Sequence, residues 1–60
     1  MKDRIEAVRF LAWAEGARRG LLAKQCEWLE QTAATLFERG NEVDKVLKEV
    51  REYAERLKGG

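Results

Sequence analysis

Two glycines constrain this chain more than any other feature. Gly20 and Gly40 cut its 60 residues into three stretches of nearly equal length, and no proline breaks those stretches elsewhere. Gly20 follows Arg18-Arg19, a pairing suited to a helix C-terminus and a left-handed C′ residue. Gly40 is followed by Asn41, so one residue can end a helix and the next can cap the following one, with Glu42 and Asp44 favouring the new helix's dipole. The spacing predicts helices over residues 4–19, 21–39 and 42–58. Three equal helices joined by short loops predict an all-α, up-down-up three-helix bundle in a single domain. At the N-terminus, Asp3 with Glu6 three positions on reads as a capping box. The start of the second helix has no side-chain cap, because Gly20 precedes Leu21 directly. A continuous helix over 4–39 therefore stays open as an alternative. It would be about 54 Å long, too long for the last helix to cover, and the resulting helical hairpin would have to dimerise.

The three helices use their faces differently. In the third, Val43, Val46, Leu47, Val50, Ala54 and Leu57 form one stripe at helical spacing. Tyr53 lies at its edge, and the rest is charged. In the second, Leu22, Cys26, Leu29, Ala33 and Leu36 form the core stripe, with Phe37 beside it. A second line, Leu21, Gln25, Trp28, Thr32 and Thr35, carries no charge at all. The first helix is apolar nearly all round. Ile5, Val8, Leu11 and Ala12 make the arc expected to face the core, and Phe10, Trp13, Ala14 and Ala17 make another on the opposite side. Gly16 lies inside the helical pattern, where it costs about 1 kcal/mol relative to alanine. With Ala12 and Gly20 it forms a small-residue line that fits close helix packing.

Composition excludes several function classes. Twelve Lys and Arg against eleven Asp and Glu leave a net charge of +1, without the basic excess of a nucleic-acid binder. One cysteine and no histidine cannot supply a four-ligand metal site or a Cys-His nucleophile. Cys26 on the core stripe reads as a small buried hydrophobe, and a lone thiol fits a reducing compartment or recombinant cytosolic production. No apolar run approaches the roughly 18 residues of a membrane span, and MKDRIEAVRF lacks the apolar core of a signal peptide. Lys58-Gly59-Gly60 reads as a frayed end. Glu15 and Glu30 are placed near core edges, where a paired-carboxylate site can be imagined, but so short a chain has little room for a water-excluding pocket. No cofactor and no catalysis are expected.

What remains is surplus apolar surface. Phe10, Trp13, Ala14, Ala17, Leu21, Gln25, Trp28 and Thr32 would form one uncharged patch on the first two helices if these pack as neighbours. Trp13 and Trp28 are each open to a core or a surface role. If exposed, such a patch marks an interaction site, and aromatic residues are enriched at interface hot spots. The expected function is a protein-binding module whose partner the sequence does not name. The alternative is a self-associating structural protein that meets its own copy through the same surface.

The segment ERGNEVDKVLKEVREYAERLKGG resembles the last loop and helix of de novo designed three-helix miniproteins, with its Gly-Asn loop, regular valine and leucine stripe, and Lys/Glu/Arg filling. That resemblance implies a binder, commonly an inhibitor, that contacts its target through two helices while the third supports them. Cys26, Gly16 and the uncapped start of the second helix depart from that style.

Overall fold

Three helices occupy nearly the whole chain: α1 (Lys2–Arg18), α2 (Ala23–Glu38) and α3 (Val43–Gly59). The computed structural model describes residues 2–59, with side chains from residue 4 onward. Each helix packs against both others, and the bundle measures 33 × 17 × 14 Å. The direction of each helix follows from its contacts. Arg9 meets Glu30 while Gly16 meets Cys26, so α2 runs against α1. Glu15 meets Arg51 while Arg19 meets Glu55, so α3 runs with α1. This is the expected up-down-up bundle. The continuous helix is overturned: α1 ends at Arg18, and Gly20 takes a φ of +76°.

The two loops, 19–22 and 39–42, repeat one device. The Gly20 N–H donates to Ala17 O (3.0 Å) and the Leu21 N–H to Gly16 O (3.1 Å). In the second loop the Gly40 N–H donates to Phe37 O (3.0 Å) and the Asn41 N–H to Leu36 O (3.4 Å). Both are Schellman motifs, in which a left-handed residue turns the last N–H groups back onto orphan carbonyls. Gly20 and Gly40 hold φ values of +76° and +95°, and a Cβ built at either meets nothing within 4 Å. The cost of a side chain there is purely backbone, about 1–2 kcal/mol. Gly40→Ala is therefore expected to destabilise the bundle by that amount, and Gly40→Asn by less, because asparagine tolerates the left-handed region. Urea denaturation of the two variants checks this.

The caps differ from expectation in three places. Asn41 does not cap α3; its Nδ2 donates to Leu36 O (2.9 Å) and closes the end of α2. The N-cap position of α3 falls to Glu42, whose backbone carbonyl accepts from Val46 N–H (2.9 Å). Leu22 takes the N-cap position of α2, and its N–H donates to Gln25 Oε1 at 2.9 Å. This is half of a capping box, since leucine offers no side-chain acceptor in return. At the other end, α1 already begins at Lys2, so Asp3 lies inside the helix, and its side chain lies outside the described residues. Residues 58 and 59 belong to α3 rather than to a frayed end.

The core is Val8 and Ala12 from α1, Leu29 and Ala33 from α2, and Val46, Val50 and Ala54 from α3. Leu21, Leu36, Phe37, Val43, Tyr53 and Leu57 pack around it. Cys26 is buried as expected. Two leucines assigned to the core are not in it: Leu11 is 40% exposed and Leu22 70%. Leu22 stands before the first turn of α2, so helical spacing does not govern where it points. Leu11 sits about 100° from Ala12 around α1, on the side turned away from α2.

Candidate docking surface

On α1, Phe10 stands out, at 71% exposed, with Trp13 half-buried one turn on. Ala14 is half-buried and Ala17 exposed. Phe10 and Trp13 flank a cleft of about 250 Å³ together with Glu6, Arg9 and Glu30. Across it the Arg9 guanidinium reaches Glu30 of α2 at 3.5 Å. This cleft is the seam between α1 and α2.

Trp28 belongs to a different seam. It is 46% exposed, and its ring meets Tyr53 of α3 edge to face, with centroids 5.2 Å apart and planes at 88°. Arg56 lies over the other aromatic partner, 5.8 Å from the Tyr53 centroid. Thr32, Thr35, Leu36 and Arg39 complete this second cleft. Trp28 and Glu30 are two residues apart and so about 200° apart around α2. One faces α3 and the other faces α1.

The eight residues expected to form one patch are therefore divided. Phe10, Trp13, Ala14 and Ala17 stay on α1. Trp28 and Thr32 border α3. Leu21 packs against the core, and the Gln25 carboxamide oxygen is committed to the N-terminus of α2. Trp13 and Trp28 both settle between the two roles left open for them, partly covered and partly in contact with solvent.

The most organised polar group in the molecule is elsewhere. Glu15 is only 7% exposed and lies between Ala12 and Gly16 on the buried stripe of α1. Arg19 Nη1 donates to its Oε1 at 2.7 Å and to its backbone carbonyl at 2.8 Å. Arg51 Nε donates to its Oε2 at 3.1 Å, and Arg19 Nε reaches on to Glu55 Oε2 at 2.7 Å. The hydrogen bond from Arg19 holds the Glu15 carboxyl below the usual carboxylate range, against the opposing push of burial, and Arg51 adds to it. The same partnership raises Arg19, and Arg19 lowers Glu55. Glu15 is thus an ionised acceptor at neutral pH, not a proton donor. Glu30 is paired separately with Arg9, at the α1–α2 seam, and does not share Glu15's partners. The signal for Glu15 was its spacing: residues 12, 15, 16 and 19 lie on one helical face, and the polar members sit among the small ones.

Cys26 is buried with its Sγ 3.9 Å from Leu21 O and against Gly16. Among the described residues no three His, Cys, Asp or Glu side chains cluster to hold a metal ion, and no helix is long and apolar enough to cross a membrane. Comparison with protein-family models, with curated proteins and with solved structures finds no match to the chain.

Proposed function

We propose that this chain is a small helical protein-binding module that docks through the α1 surface around Phe10 and Trp13, where it meets α2. The supporting observation is one of distribution. Among the described residues, the exposed large apolar side chains are Phe10, Leu11, Leu22 and Trp28. All of them belong to α1, to α2 or to the loop between, and α3 contributes none. A helix whose large apolar side chains are all at least half-buried suits a support, and helices that leave aromatics in water suit a contact surface. The resemblance to designed three-helix miniproteins points the same way, since two helices bind and the third supports them. The repeated Schellman loops fit that style, which favours regular connections.

Phe10 tests the reading because little of it is buried. Phe10→Glu is expected to leave thermal unfolding within about 0.5 kcal/mol of the parent and to abolish retention of partners in a pull-down from an expressed protein library. Trp28→Glu, on the other seam, serves as the comparison. If every captured protein is kept equally well by Phe10→Glu, the α1 surface is not the docking site. Sedimentation across a concentration range separates the self-associating alternative: a dimer that Phe10→Glu dissolves would make a second copy the partner.

A further inference from the structure

The outer face of α1 selects the kind of partner it fits. Ala7, Phe10, Ala14 and Ala17 follow one another at intervals of three and four, and all are exposed or half-buried. That is the a/d spacing of a helix that lies along another helix. No charge interrupts it between Phe10 and Ala14. Small side chains at three of the four positions let a second helix approach closely, and Phe10 supplies the large contact. Beside this line runs another, Arg4, Leu11 and Arg18, seven residues apart and so nearly straight along the helix. All three are exposed. This second line lies on the α3 side of Phe10. Arg18 is 3.9 Å from Glu15, which Arg51 of α3 reaches, and Arg4 lines a hollow with Asp44 at the start of α3. Across the seam, positions 44, 48, 51, 55 and 58 recur at three and four and share one side of α3. Glu15, Arg19, Arg51 and Glu55 neutralise one another there. The exposed charges left are Arg4, Arg18, Lys48 and Lys58, against Asp44 alone. The seam thus has three positive charges in surplus in a chain whose net charge is +1. Asp3, next to Arg4 in the chain, does not cancel them. On the opposite flank, by Trp13, Glu6 and Glu30 stand against Arg9, so the positive charge is confined to the α3 side.

Resting on the docking reading above, we infer that α1 accepts an acidic amphipathic helix of a partner protein. The apolar stripe of that helix lies on Ala7, Phe10, Ala14 and Ala17. Its Asp or Glu side chains reach Arg4 and Arg18, with an apolar side chain between them over Leu11. Lys48 and Lys58 extend the attraction along the same flank. A second copy of this chain fits less well. A two-fold antiparallel pairing along α1 would bring this flank against itself, Arg18 opposite Arg4 and Arg4 opposite Arg18, and like charges across an interface are repulsive. A nucleic acid would satisfy the cations but leave Phe10 and Leu11 without an apolar stripe to cover them.

The test is a display selection of a library of helical peptides, randomised at their surface positions, on the immobilised protein. Phe10→Ser, which adds no charge, and the double variant Arg4→Glu/Arg18→Glu are parallel targets. Arg4→Gln/Arg18→Gln repeats the second without reversing the charge. All three substituted side chains are exposed, so the bundle is expected to persist, which a thermal scan checks. The expected result is a set of binders with Asp or Glu along one side of an apolar stripe, lost on Phe10→Ser. Charge reversal is expected to slow their association by about tenfold or more, and neutralisation by less. Neutral or basic binders that still require Phe10 would overturn the inference of an acidic partner while leaving the docking reading intact. Binders indifferent to Phe10 would overturn both. A duplex oligonucleotide retained at the same salt concentration, and released by Arg4→Glu/Arg18→Glu, would overturn the inference by making a nucleic acid the partner. A dimer in sedimentation, dissolved by Phe10→Ser, would overturn it by making the chain its own partner.

Discussion

Glu15→Gln is expected to destabilise the bundle by about 2–3 kcal/mol at neutral pH. The side chain is buried and receives hydrogen bonds from Arg19 and Arg51. The amide keeps the shape but turns one acceptor oxygen into a donor that faces an arginine. Breaking a fully buried pair commonly costs about 3–5 kcal/mol. The lower figure applies here because Arg19 keeps the backbone carbonyl of residue 15 and the Glu55 carboxylate, and Arg51 is open to water. For a domain of this size 1 kcal/mol moves the melting temperature by about 4–8 °C, so a drop of roughly 10–20 °C is the expected reading in a thermal scan. The pH dependence follows from the direction of the shift. The folded-state pKa of Glu15 lies below its unfolded value. Its contribution is fully present above the unfolded pKa of about 4.3 and is lost as pH falls through the folded value. The gap between parent and Glu15→Gln is therefore expected to be widest at neutral pH and to close in acid. A gap of constant size from neutral to strongly acidic pH would mean that packing, not charge, holds Glu15 in place.

Gly16→Ala is a second destabilising change. Alanine is the better helix former by about 1 kcal/mol, and at an exposed site the substitution would stabilise. Here a Cβ would stand 2.9 Å from Cys26 Sγ and 3.0 Å from Leu29 Cδ1. Leu29 is completely buried and Cys26 nearly so, so either side chain would have to shift within the packed interior. Overpacking of this kind costs about 1–3 kcal/mol, so a net loss of about 1–2 kcal/mol is expected, and Gly16→Val, with two further carbons, is expected to unfold the chain. Cys26→Ala supplies the decisive control. On its own it leaves a small void beside Gly16 and costs stability. Combined with Gly16→Ala, it lets the new methyl group occupy the space that the sulfur leaves. The double variant is expected to be more stable than the sum of the two single changes predicts, which urea denaturation of all four proteins would measure. Strict additivity would show that the close approach of α1 and α2 at this point is not what disfavours a side chain.

The two glycine breaks and the α3 stripe were legible from residue order alone, because left-handed C′ glycines and a helical apolar period are local signals. The failures came from a helix boundary and from non-local contacts. Hydrophobicity places Leu11 and Leu22 inside, and the structure turns both out, whereas Glu15, expected near a core edge, is buried. Leu22 escapes because the helix begins one residue after it. Glu15 is drawn in by Arg51, which is 36 residues away. The aromatic patch fails for a related reason. Periodicity gives the angle of Trp28 around α2, but not which side of α2 the third helix covers. Once α3 takes the side bearing Trp28, Tyr53 meets it, and Phe10 and Trp13 are left alone on the opposite seam. The surplus of aromatic side chains on α1 was thus visible in the sequence, and their separation from Trp28 was not.

The hydrogen bonds of Glu15 and Arg19 with α3 join positions 36 apart in the chain. Helix turns and the Schellman loops close over a few residues and can form early, whereas these two bonds need the first and last helices already docked. Contacts that form after the transition state act chiefly on the unfolding rate. The polar latch between α1 and α3 is thus expected to have a role in time as well as in energy. Loss of the Glu15–Arg51 bond is expected to shorten the time a folded molecule persists before α3 lifts away more than it slows the assembly of the bundle.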